Sequence, residues 1–83
     1  MSEEKIGEIT HFFTNISVGV IKLSGEVSED DEIHVKGSST DFKQTVGSME
    51  IDGNKVEKAG SGQSIGLKVK ERVREGDEVF RVE

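Results

Sequence analysis

Apolar and polar residues alternate along much of the chain, most cleanly at Ile65, Leu67 and Val69, which are separated by Gly66 and Lys68. Successive side chains of a strand point to opposite faces, so this period of two marks a strand with one buried face. The stretch from residue 18 to residue 35 carries two more such runs. In the first, Ile21 and Leu23 point inward and Lys22 outward; in the second, Ile33 and Val35 point inward, with His34 and Lys36 outward. Val27 interrupts the polar connection between them and is expected to tuck back and plug one end of the sheet.

The remaining segments fit the same scheme. Residues 5 to 13 read as a first strand, with Gly7 as a bulge because Ile6 and Ile9 fall out of strict alternation. Thr14 and Asn15 turn into the central pair. After a polar turn over residues 37 to 41, a fourth strand is expected from Phe42 to Ile51, irregular at Gly47. There Phe42 and Val46 occupy one parity and Met49 and Ile51 the other. Asp52-Gly53-Asn54 is a strong turn signal, followed by a loop over residues 55 to 62 that contains Val56 and Ala59. The fifth strand is Ile65 to Val69. A turn from Arg72 to Asp77, anchored by Val73, leads to a last strand over residues 78 to 82. Residues 1 to 4 read as a flexible tail, which leaves 5 to 83 as the folded domain. Six short strands with polar turns predict an all-β fold, a single six-stranded antiparallel β-barrel, closed or nearly closed.

Composition supports that class. Of the 83 residues 31% are hydrophobic, and ten of these are Val and seven Ile, against two Leu and one Ala. β-branched side chains lose rotamer freedom in helices and pack well on a pleated surface. With no cysteine, neither disulfides nor thiolate-bound metal can staple so short a chain. The formal charge of −6 favours solubility and opposes general binding to phosphate backbones. No apolar run approaches the roughly 20 residues that span a bilayer, and none near the start resembles an export signal. The expected location is therefore cytoplasmic, with no membrane partner.

Few residues suggest chemistry. Gly60, Gly62 and Gly66 are spaced one residue too far apart for a dinucleotide fingerprint, and a strand follows where a helix is required. Glu29-Asp30-Asp31-Glu32 is an unbroken acidic run, lacking the alternation and central glycine of a calcium loop. His11 and His34 are the only imidazoles, on separate strands, and read as surface or interface residues. No catalytic triad stands out. The chain is thus expected to be non-catalytic, with no cofactor, metal or nucleotide. Lys68, Lys70, Arg72 and Arg74 are the informative charges, since they gather four of the 11 basic residues within one short stretch. Lys68 and Lys70 fall on one outer face of the fifth strand and the arginines on the turn beyond, while Glu71 and Glu75 dilute the patch. Phe12 and Phe13 point to opposite faces of a regular strand, which makes one of them a candidate stacking residue beside Phe42, but packing in so small a core is the expected role of the four phenylalanines.

Three motifs carry a family resemblance. Val20-Ile21-Lys22-Leu23 with Glu32-Ile33 is one, and Val46-Gly47-Ser48-Met49-Glu50-Ile51 is another. The third joins Ala59-Gly60, Ile65-Gly66-Leu67 and the closing Arg74-Glu75-Gly76-Asp77-Glu78-Val79. Together they resemble domain two of the translational GTPases and a group of small translation elongation factor-like proteins. They also resemble the small barrel at the C-terminus of collagenase-like peptidase family proteins. The GTPase family's phosphate loop is absent. In that family the barrel helps hold the 3′ adenosine of aminoacyl-tRNA through a Glu, an Arg and a Leu. Glu50 matches the first, Lys68 stands at the Leu position, and no Arg occurs in the turn at residues 53 to 55. The resemblance implies an adaptor that docks to RNA or a ribonucleoprotein through Lys68, Lys70, Arg72, Arg74 and Glu50. The alternative it implies is an accessory protein-interaction domain for a collagenase-like peptidase family protein.

Overall fold

β1 (Glu3–Phe13) is the frame of the molecule, and its two irregularities set the curvature of everything around it. In the computed structural model, which describes residues 2–83, the register of β1 against the last strand shifts between Lys5 and Gly7. Its register against the next strand shifts again between Ile9 and His11. These bulges bring Ile6 and Ile9, three residues apart, to the same interior. Gly7 is required at the first: a Cβ there would lie 2.7 Å from the Ile21 side chain and 2.7 Å from the Lys22 carbonyl oxygen.

The other strands are β2 (Val18–Leu23), β3 (Val27–Ser28), β4 (Glu32–Lys36), β5 (Asp41–Thr45) and β6 (Met49–Ile51). They are followed by β7 (Asn54–Val56), β8 (Lys58–Ala59), β9 (Ser64–Lys68) and β10 (Glu78–Val82). The fold is all-β and the strand pairs are antiparallel. Eight strands form one sheet in the order β5-β4-β10-β1-β2-β9-β6-β7, and β3 pairs with β8 across one end. Val27, buried in β3 opposite Ala59, is the plug that the pattern predicts.

Ten strands replace the expected six for identifiable reasons. The long fourth segment breaks at Val46, whose N–H and C=O bond to Asp31 and Asp30 while the chain crosses from β4 to β9. Asp52 and Gly53, both with positive φ (53° and 82°), make a two-residue turn that pairs Ile51 with Asn54. β7 and β8 therefore begin at Asn54, expected in the turn, and take up part of the loop expected over residues 55 to 62. β1 also starts at Glu3, paired with Val82, so residues 3 and 4 lie in the sheet instead of in a tail, and Met1 lies outside the described residues.

Both edge strands feed one core, Phe42 from β5 and Val56 from β7. The sheet thus wraps a common interior of Ile21, Leu23, Ile33, Val35, Ile65 and Leu67, although its backbone order ends at β5 and β7. Gln44 bridges the seam. Its side-chain amide donates to the Lys68 carbonyl (3.0 Å) and accepts from the Lys70 N–H (2.9 Å), replacing the two bonds a strand would make.

Candidate functional site

The strip of basic residues begins in the sheet and leaves it. Lys68 ends β9, Lys70 follows the Gln44 bridge, and Arg72 and Arg74 lie in the connection to β10. All four side chains are exposed, while Val69 and Val73 between them are buried and pin the segment to the core. Alternation thus continues past the end of the strand. Among the described residues, ion pairs engage Lys5, His11, His34 and Arg81, but none engages the four residues of the strip.

Glu50 lies in β6 opposite Gly66 of β9 and Lys55 of β7. Directly opposed residues share a face and alternate residues return to it, so Glu50 is a diagonal neighbour of Lys68 on the outer surface. The fold therefore places Lys68 and Glu50 on one sheet face, with Lys70, Arg72 and Arg74 extending past its end.

The same end of the molecule carries an apolar feature, in which the exposure weighed for one of Phe12 and Phe13 falls to Phe13. Phe13, Val18 and Lys68 stand side by side across β1, β2 and β9 on the outer face. Phe13 is 47% exposed, and Ile16 in the β1–β2 turn is 59% exposed. Phe12, on the other parity, packs against the core. His11 rests edge-on against Phe13, with ring centroids 4.5 Å apart, and its Nδ1 lies 3.5 Å from the Glu75 carboxylate. The Val69 N–H donates to the Ser17 carbonyl at 2.9 Å, tying the turn to the start of the basic connection. An exposed apolar tip and the cationic strip are thus one continuous surface.

The opposite end is built differently. The Glu83 N–H donates to the Ser2 carbonyl at 2.9 Å, so the two described chain ends lie together there. His34 lies on the outer face of β4, its side chain only 12% exposed, between two carboxylates. Its Nδ1 faces Glu3 at 2.9 Å and its Nε2 faces Asp41 at 2.5 Å. Carboxylates only accept, so both bonds are made together by the protonated ring, and this geometry favours the imidazolium form. The hydrogen bond that His34 donates to Asp41, with a lesser one to Glu3, raises the His34 pKa above 6.5, and the same bond lowers that of Asp41 below 3.8. Arg81 is likewise occupied, donating to the Glu26 carbonyl and to Glu4 and Glu83. Among the described residues no group of three or more His, Asp or Glu side chains is placed to hold a metal ion.

Comparison with known proteins fits this geometry into a broader picture. No protein-family model matches the chain. It is 35% identical over 77 residues to an uncharacterized protease of Methanocaldococcus jannaschii, and 35% identical over 78 residues to a collagenase of Porphyromonas gingivalis. Each match takes in 92% of the chain. The chain is similar to one segment of larger proteins. It spans about a fifth of the length of the curated relatives it matches, 19% of the first and 22% of the second. In fold it is similar to the C-terminal domain of a Geobacillus thermoleovorans protein described as a U32 peptidase. That match has a TM-score of 0.91 and 17% identity, and covers 96% of this chain and 93% of that one. The selenomethionine form of the same domain gives a TM-score of 0.88.

These matches support one half of the family resemblance and correct the other. The similarity to a collagenase-like C-terminal barrel stands. The translation-factor reading, and the RNA-binding role attached to it, are overturned, because the relatives and the fold neighbours are protease, collagenase and U32 peptidase segments. The motifs misled because they encode turn positions and core spacing, which two families can share without sharing a ligand. As to location, no helix among the described residues is long and apolar enough to cross a membrane.

Proposed function

We propose that this chain is a non-catalytic accessory domain that works by protein contact with a U32-peptidase-like body. The observation that carries this reading is the segmental match. Sequences 35% identical to nearly all of this chain occur inside protease- and collagenase-named proteins about five times as long. A segment of that kind sits beside a larger body in those proteins, and the exposed tip and strip give this one a surface with which to do so.

The chemistry on the surface agrees with such a role. Its most occupied polar cluster, Glu3–His34–Asp41, has both imidazole nitrogens engaged and no free base to offer a substrate. The test is recovery of the tagged chain from its native cells, with and without ribonuclease. Retention of a U32-peptidase-like polypeptide after ribonuclease supports the reading. Loss of every partner on ribonuclease treatment contradicts it. The purified chain alone is expected to leave gelatin uncut, and steady cleavage by the chain alone would contradict the non-catalytic part.

A further inference from the structure

We propose that the β1–β2 tip and the basic strip together form the docking face, and that its occupant is an acidic, apolar-pocketed surface of the U32-peptidase-like body. This rests on the accessory-domain reading and adds to it where contact is made and what chemistry receives it.

The face combines what a protein interface needs. Phe13 and Ile16 are the two large hydrophobic side chains exposed on the described surface, and both are at this tip. An aromatic anchor surrounded by polar groups that exclude water is the usual centre of a protein–protein contact. Phe13 is held in place, by His11 on one side and Val18 on the other, so seating it costs little conformational freedom.

Charge indicates the sign of the partner. The chain carries −6 overall, yet beside this tip Lys68, Lys70 and Arg72 are exposed without any ion pair among the described residues. At the other end Lys5 and Arg81 are paired with carboxylates within the fold, and Lys58 stands there as a single exposed cation instead of a cluster. A receiving surface with carboxylates at its rim would be attracted to this face and repelled by the rest of the molecule, which fixes the orientation of approach.

Position adds a third argument. The tip lies at the end of β1 remote from the paired chain ends, Ser2 and Glu83. Contact through it leaves both ends of the domain clear of the interface.

The test is site-directed photocrosslinking in the native cells, with p-benzoylphenylalanine replacing Ile16 in one variant and Lys58 in another. Lys58 is exposed in β8, at the end of β2 away from the tip. The proposal expects an adduct at position 16 whose partner peptide comes from a U32-peptidase-like polypeptide and includes Asp or Glu. It expects little adduct at position 58, and a loss of the position-16 adduct by roughly tenfold when Lys68→Glu and Lys70→Glu are added. Far-UV circular dichroism of the reversed protein checks that it stays folded. A U32-peptidase-like adduct at position 58 alone would overturn the docking face while leaving the accessory role standing. An adduct at position 16 with RNA, lipid or an unrelated protein overturns the proposal, and absence of any adduct at either position overturns both readings.

Discussion

The two ends of this small sheet treat charge in opposite ways. Around the chain ends, His34 is held by Glu3 and Asp41, Arg81 by Glu4 and Glu83, and Lys5 by Glu8 and Glu78. Around the β1–β2 tip, Lys68, Lys70, Arg72 and Arg74 are exposed beside Phe13 and Ile16. At one end, pairs such as Lys5–Glu78, His34–Glu3 and Arg81–Glu4 fasten strands that are remote in sequence. The other leaves its ionic groups available. Exposed ion pairs stabilise by little individually, so the difference is better read as a division of roles than of stability.

The largest expected effect lies in the interior that both ends share. Leu67→Ala removes a fully buried side chain and should cost about 2–5 kcal/mol, read by urea denaturation. Lys22→Ala, outward on the same sheet, should stay within about 0.5 kcal/mol. Comparable losses from both would mean that the assignment of inner and outer faces is wrong.

Gly37→Ala comes next. A Cβ at residue 37 would fall 1.9 Å from the Asp77 carboxylate oxygen, and Asp77 is buried, with its carboxylate accepting the Arg74 N–H at 2.8 Å. The overpacking should cost about 1–3 kcal/mol. In an Asp77→Ala background the same change should cost less, because the obstructing atoms are gone. Additive losses would show that the close approach is not what requires glycine.

His34→Gln sharpens the comparison through pH. Because the His34 pKa is raised in the fold, its contribution to stability is full below the ordinary value of 6.5 and is lost as pH rises through the raised folded value. Asp41, lowered in the fold, contributes above 3.8 and loses that contribution as pH falls through its depressed value. The neighbouring Lys36 and Lys43 assist Asp41 in the same direction. The native protein should therefore lose urea resistance as pH rises from below 6.5 through the raised His34 value, and the His34→Gln protein should lose less. An unchanged slope in the variant would remove the clamp from the account. The smallest effect belongs to the tip: Lys68→Glu with Lys70→Glu should shift stability by no more than about 0.5 kcal/mol.

Much of the fold is legible in the sequence. Strand parity at Ile21, Leu23, Ile33, Val35, Ile65 and Leu67 follows from alternation alone, and the Gly7 bulge follows from the mismatch of Ile6 and Ile9. The short strands β7 and β8 were hidden because three polar-edged residues carry no period. Gln44 was invisible for another reason. Its amide substitutes for strand backbone, and nothing in a single sequence distinguishes it from an exposed glutamine. His34 reads as a surface residue because its partners, Glu3 and Asp41, come from strands that only the sheet order brings together. The basic strip is plain in the sequence because its members are close along the chain. The apolar tip beside it is not, since Ile16 and Phe13 meet Lys68 only through the β1-β2-β9 register.

The central claim is that partner contact resides at the tip end and fold maintenance at the other. Its most direct measurement is capture of the U32-peptidase-like polypeptide from ribonuclease-treated native extract, by equal amounts of three folded proteins. The native chain and His34→Gln should capture it equally at pH 7, while Lys68→Glu with Lys70→Glu should capture about tenfold less. Full capture by the charge-reversed protein, with loss confined to His34→Gln, would contradict the account.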